Sequence, residues 1–251
     1  MTKRHLLALV VALASIGSSR AANIVYADGF EAATFNSFWT VSQLAGTAIP
    51  STVQAHSGNQ SAQFSSVNGV QRGIGLTHIF SSAVQGTVSV YLYDPAPGQE
   101  TLYMQLGVSS STNSTSNGNA GIQDFDPTCY MAVSGGVGPN ANCGFRQQNS
   151  TTNILRTSGW HLLSMTVGPT GFIIAIDGIT QVNRSGNFSF DRLDLFMSGP
   201  GFRPNATTYF DDFSLNVTEV GSIPEPSTWA LLISGLAVGA IARRKKATQV
   251  K

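Results

Sequence analysis

Lysine is missing from the whole central part of this chain. All four lysines (Lys3, Lys245, Lys246 and Lys251) sit at the two ends of the 251 residues, and none falls between Ala22 and Ser222. That stretch carries six arginines against twelve acids, a balance of −6, although the whole chain has a formal charge of +1. A mildly acidic body without lysine argues against a nucleic-acid partner, whose phosphates need a basic footprint. Charge of either sign is scarce, at 11% of residues against about 25% in an average soluble domain. Only two cysteines and four histidines are present, with no zinc spacing among them. A Gly-Lys-Ser/Thr phosphate loop and a Gly-x-Ser-x-Gly elbow are also absent. No stretch of the body sustains a helical period. What remains is about 200 residues, enough for one domain with a full core.

The apolar runs are confined to the ends. Lys3, Arg4 and His5 precede a short apolar stretch from Leu6 to Ile16, and Ser19-Arg20-Ala21 follows with small residues. This order predicts a secretory signal peptide over residues 1–22. At the other end, Pro224-Glu225-Pro226 leads into Ser227-Thr228-Trp229, an apolar run to Ala242 and then Arg243-Arg244-Lys245-Lys246. Sixteen residues from Ser227 to Ala242 make a transmembrane helix of roughly 24 Å, with Trp229 at one interface and the basic cluster on the cytoplasmic side. The Pro-Glu-Pro, apolar and basic order over 223–251 resembles the PEP-CTERM sorting signal of Gram-negative envelope proteins. That resemblance implies an exosortase-type partner, removal of the tail, a transient stay in the inner membrane, and export to the cell surface or extracellular matrix.

The body, 23–222, reads as all-β. Short β-rich or alternating runs recur between Gly, Pro, Asn and Ser, among them Gly73–Phe80, Thr87–Tyr93, Thr101–Val108, His161–Val167, Phe172–Asp177 and Thr208–Val217. Asp177-Gly178 is a two-residue hairpin signal. Ser109–Ala120 is a polar low-complexity stretch that predicts a loop. About a dozen short strands predict a two-sheet antiparallel sandwich. Alternation puts Tyr91 and Tyr93 on one face of their run, and Tyr103 and Gln105 on one face of the next. If the two runs pair across Asp94–Glu100, these four residues make an aromatic, amide-rimmed patch suited to a sugar. The competing reading packs the tyrosines under a loop, with their hydroxyls bonded to backbone. His161 alternates with Leu163, Met165 and Val167 and is expected to point inward. Cys129 and Cys143, fourteen residues apart in an exported chain, predict a disulfide.

The segments Asp28-Gly29-Phe30-Glu31, Ser57-Gly58-Asn59-Gln60-Ser61, Gly159-Trp160-His161, Ile176-Asp177-Gly178 and Tyr209-Phe210-Asp211-Asp212-Phe213 are similar to a concanavalin A-like (laminin G-like) jelly roll. In that fold the first and last strands are neighbours, which brings Glu31 or Asp28 near Asp211. Asp211 alternates with Tyr209, Phe213 and Leu215 and is expected to face the core. A buried carboxylate needs a proton, a partner or a cation. Ca²⁺ held by Glu31 and Asp211, with Asp28 and Asp212 in reserve, is one reading; backbone N–H donors to Asp211 are the other. Glucanases of this fold carry a Glu-x-Asp-x-(x)-Glu run, which this chain lacks. Its acid pairs, Asp124/Asp126 and Asp191/Asp194, contain no Glu. The sequence therefore predicts no enzyme. It predicts an exported surface or matrix protein that binds exopolysaccharide, with a ligand-free structural matrix component and a glycoside hydrolase as alternatives.

Overall fold

A computed structural model describes residues 22–221, except 45, 68–72, 96, 100, 113–115, 124–126, 136–137, 139–150 and 200–204. The stretches read above as a signal peptide and a sorting tail thus lie outside the described residues, apart from Ala22. Among the described residues there are fourteen antiparallel strands and no helix.

One long strand organises them. β5 (Ile74–Asp94) runs for 21 residues and belongs to two layers. Its first half pairs with β2 (Thr40–Gln43) on one side and β13 (Phe190–Ser198) on the other. From β13 this layer continues through β6 (Tyr103–Ser109), β7 (Ser116–Ile122), β8 (Cys129–Val133) and β9 (Thr151–Leu155). The second half of β5 pairs with β10 (Gly159–Val167) and β14 (Thr207–Glu219). β11 (Gly171–Ile176) and β12 (Ile179–Ser185) extend this second layer beyond β10. On its free side β14 takes β4 (Ser61–Ser66), which carries β3 (Gly46–Ser51), and β1 (Asn23–Asp28). First and last strands are therefore neighbours, as the resemblance implied.

The core lies between the layers. Alternation sends Leu76, Val88, Val90 and Leu92 of β5, Met104, Leu106 and Val108 of β6, Leu163, Met165 and Val167 of β10, and Leu193, Leu195 and Met197 of β13 inward, each no more than 1% exposed. Asp177 and Gly178 turn β11 into β12 with φ of 51° and 77°, the paired positive values such a hairpin needs. His161 points inward and is bonded through Nδ1 to Asp177 Oδ2 and through Nε2 to the Thr157 carbonyl. A buried ion pair closes one end: Arg156 Nε and Nη2 each donate to Asp94 at 2.8 Å, and Tyr130 Oη donates to the same carboxylate. Burial, then the Asp94 charge, raises the Tyr130 pKa well above the ordinary phenol value.

Three expectations are corrected. β5 and β6 do not form a hairpin across 94–100, because β13, from about 90 residues downstream, lies between them. Ser116–Ile122 is a strand rather than loop: its backbone is bonded by both β6 and β8, which outweighs its poor β-propensity. Asp211 does not face the core. A bulge between Asp211 and Ser214, with Asp212 at φ 47°, switches the faces of β14. Phe210 therefore points inward before the bulge, and Phe213 and Leu215 after it.

Candidate functional site

On the outer face of the first layer, the alternation that buries Leu193, Leu195 and Met197 turns Arg192, Asp194, Phe196 and Ser198 of β13 outward. The flanking strands offer small residues there. Gly75 and Gly107 stand beside Phe196 and Asp194 in register. A Cβ on Gly107 would come within 2.8 Å of Asn119 Oδ1 and 3.3 Å of Phe196 Cε1; one on Gly75 would meet Leu195 O at 2.5 Å and Phe196 Cβ at 3.2 Å. The glycines thus set the floor of a trough with Phe196 standing in it. Two depressions, of about 260 and 350 Å³, share Arg192, Asp194 and Phe196 as a common wall. Their other walls carry hydroxyls and an amide, from Ser109, Ser111 and Asn119 on one side and Ser42, Thr77 and Ser198 on the other. Shallow and open, with polar groups on both walls, the trough suits an extended chain better than an enclosed small molecule.

Asp194 is held on three sides. Arg192 Nε and Nη2 donate to its two oxygens at 2.8 Å, a bidentate fork, and Thr77 Oγ1 donates at 2.6 Å. Asp194 in turn raises the Arg192 pKa above its ordinary value. The other acid of this pair, Asp191, accepts the Ser111 N–H and hydroxyl and so pins the rim of the trough. Asp124 and Asp126 lie outside the described residues. Among the described residues lining the trough, Asp194 is the carboxylate available for chemistry.

The residues expected to bind sugar are split between two faces. Tyr103 and Gln105 lie on the trough face, opposite Ser198 and Phe196. Gln105 is buried, with its amide directed to Ile122 O and Met131 Sδ. Tyr91 and Tyr93 are on the outer face of the second layer, where the His56 ring stacks on Tyr91 at 3.6 Å. Sequence reasoning missed Phe196, Arg192 and the two glycines, since four residues from three strands show no local pattern. Cys129 is buried at the start of β8; Cys143 lies outside the described residues.

The four acids expected at a metal have other partners. Asp28 accepts from Tyr26 Oη, Trp39 Nε1 and the Phe30 N–H. Asp211, fully buried beneath residues 56–57, accepts the N–H groups of His56, Ser57 and Asp212. Burial pushes the Asp211 pKa up, against these donors. The second reading of Asp211, as an acceptor of backbone N–H groups, describes this geometry. Glu31 accepts the N–H groups of Asn59 and Gln60, which lower its pKa. Asp212 meets His56 Nδ1 at 2.6 Å and Ser57 Oγ at 2.7 Å. Among the described residues no three metal-ligating side chains converge.

No family model matches the chain, and no curated protein matches it. Solved structures share its fold. A cellulose-induced protein, Cip1, is 14% identical with a TM-score of 0.53, covering 75% of this chain and 95% of that one. Crh5 transglycosylase is 15% identical at 0.52, covering 82% and 90%. A glycoside hydrolase family 16 endo-glucanase from Bacteroides ovatus is 12% identical at 0.51, covering 76% and 99%. The chain has an all-β jelly-roll fold, shared with a protein named as cellulose-induced, a transglycosylase and an endo-glucanase. The expectation that it is no enzyme is corrected here. It rested on a missing glutamate run, yet two of these three fold neighbours bear the names of enzymes that cut or transfer glycans.

Proposed function

We propose that this chain is a carbohydrate-active protein of the cell surface or extracellular matrix that takes an extended polysaccharide in the trough of the first layer. One observation carries the reading: Phe196 stands between two glycine-floored depressions, with the Asp194–Arg192 fork at its side and hydroxyls on both walls. Sugars present C–H faces that stack on aromatic rings and hydroxyls that need polar partners. Asp194 is the acid–base candidate, fixed in position by Arg192 and Thr77. The tail over 223–251 supports export and exosortase-type processing, so the mature protein lacks Arg243–Lys251 in a mass spectrum; intact tails on most surface molecules would overturn that part.

Calcium belongs to the proposal in reduced form. Asp28 and Asp211 have their oxygens taken by N–H and O–H donors of their own surroundings, and neither fits a cation; Asp212 would have to exchange its His56 or Ser57 partner for the ion, while the N–H donors to Glu31 both fall on Oε1 and leave Oε2 to it. Glu31 and Asp212 fit better: both flank Gly29, where a Cβ would lie 3.8 Å from Asp212 Oδ1 and 3.8 Å from Glu31 Cγ. Their mutual repulsion is relieved by a hard cation that takes its remaining oxygens from backbone and water.

The test of the trough is binding and turnover together. Full-length protein and Phe196→Ala and Asp194→Asn variants are run on gels containing mixed-linkage β-glucan or linear galactan, and new chain ends are measured in solution. Phe196→Ala is expected to weaken retention and to lose chain-end release, and Asp194→Asn to lose chain-end release with retention unchanged. Retention and chain-end release both unaffected by Phe196→Ala would refute the trough.

A further inference from the structure

We propose that Trp160 and Tyr93 form a second carbohydrate platform, on the outer face of the second layer. It is separate from the trough but rests on the same reading of the protein as carbohydrate-active. Trp160 of β10 and Tyr93 of β5 are register partners, on the side of the sheet away from buried Leu92 and His161. Their rings meet at 5.3 Å and 67°. Tyr209 of β14, opposite Tyr93 on its other side, buttresses it edge-on at 5.8 Å and is itself only 8% exposed. Residue 56 forms a wall: the His56 ring stacks flat on Tyr91 and meets Trp160 edge-on at 5.7 Å. His56 is fixed by Asp212, and the backbone of His56 and Ser57 by buried Asp211. Three strands and one anchored loop therefore hold two half-exposed aromatic faces in place before any ligand arrives.

The polar tips identify the occupant. Among the described residues, the Tyr91, Tyr93 and Tyr209 hydroxyls and the Trp160 indole N–H find no hydrogen-bond partner, although all four side chains are at least half covered. Buried phenols and indoles ordinarily find a partner. Four unpaired tips around two apolar ring faces match a pyranose, which offers C–H on its faces and O–H at its rim. A lipid surface offers no such rim, and among the described residues the platform has no lysine or arginine to meet anionic headgroups or an acidic glycan. The occupant is thus a neutral polysaccharide. Two sites on opposite faces give the protein two holds on a polymer matrix, and avidity exceeds either affinity alone.

The experiment titrates full-length protein with mixed-linkage β-glucan, linear galactan and a polyuronate, following tryptophan fluorescence and gel retention. Wild-type emission is expected to shift with a neutral glycan and not with the polyuronate. Trp160→Phe, which keeps a ring and the fold, abolishes the shift. Trp160→Ala with Tyr93→Ala weakens retention roughly tenfold, as expected for lost stacking, while chain-end release through Asp194 continues. Phe196→Ala gives the converse: release is lost and the Trp160 shift stays. Retention and emission indifferent to Trp160→Phe and to the double alanine variant would overturn the second platform and leave the trough standing. No response to any of the three glycans would overturn both.

Discussion

Replacing Asp94 by Asn tests whether the closed end of the sandwich is held by charge. Asp94 and Arg156 side chains are both 0% exposed. The carboxylate accepts two guanidinium N–H groups at 2.8 Å and the Tyr130 hydroxyl at 3.2 Å, and Arg156 Nη1 also reaches the Gln99 carbonyl at 2.9 Å. Asn keeps the volume but removes the counter-charge and turns an NH₂ toward donors. A buried guanidinium then lacks its partner, at a cost of about 3–5 kcal/mol. In a domain of this size each kcal/mol lowers Tm by about 2–4 °C, so a fall of roughly 6–20 °C is expected. Removing both charges, Asp94→Leu with Arg156→Met, costs far less, because a buried pair is nearly matched by well-packed apolar groups. Urea and thermal unfolding of the wild type, Asp94→Leu, Arg156→Met and the double variant close the cycle, with Asp94→Asn measured beside them. A loss below about 1 kcal/mol in Asp94→Asn, or additive single effects, would refute the reasoning.

Other outcomes follow from local geometry. Chelation with EDTA is expected to lower Tm of the wild type and not of Glu31→Gln/Asp212→Asn, since a ligand bound to the native state stabilises by mass action; an unchanged wild-type melt with no metal in the purified protein rules calcium out. Cys129 and Cys143 are expected to resist thiol labelling in denatured, non-reduced exported protein, and the closed loop contributes about 3 kcal/mol; stoichiometric labelling of both refutes the bond. Asp177→Val places a β-branched residue at φ 51° and deletes acceptors for the Leu162 N–H and His161. A loss of about 2–4 kcal/mol is expected, whereas Asp177→Asn loses less; equal stability of the two in urea melts argues against backbone strain at the turn.

What could be read from the sequence was what neighbours in sequence decide. The hairpin at Asp177-Gly178 needs only the positive φ that those two residues tolerate. The inward His161 follows from three apolar residues alternating with it. The same logic gave Tyr91 and Tyr93 a common face, and the structure keeps it. It failed where a distant strand intervened. Nothing near Asp94–Glu100 announces that β13 will separate β5 from β6, so Tyr103 could not be placed relative to Tyr91. The bulge at Asp212 inverted the faces of β14, because one extra residue reverses a two-residue period. The strand at Ser116–Ile122 is polar and glycine-rich, and its order comes from neighbours on both sides. The trough depends on Gly75, Gly107 and Phe196 meeting across three strands, a coincidence visible only once the topology is known.

The pairing of β1 with β14 governs the order in which this chain acquires its structure. Asn23 lies opposite Thr218, so the first strand waits for the last before it has a partner. β4 depends on the same strand, and so does the second half of β5. Such non-local ladders must close large loops before contacts repay them, which makes folding slow. Until Thr207–Glu219 has emerged, three earlier strands present open edges capable of pairing with other chains. A chain stopped short of β14 would therefore lose far more than that strand's thirteen residues: the second layer would have no strand joining its two sides.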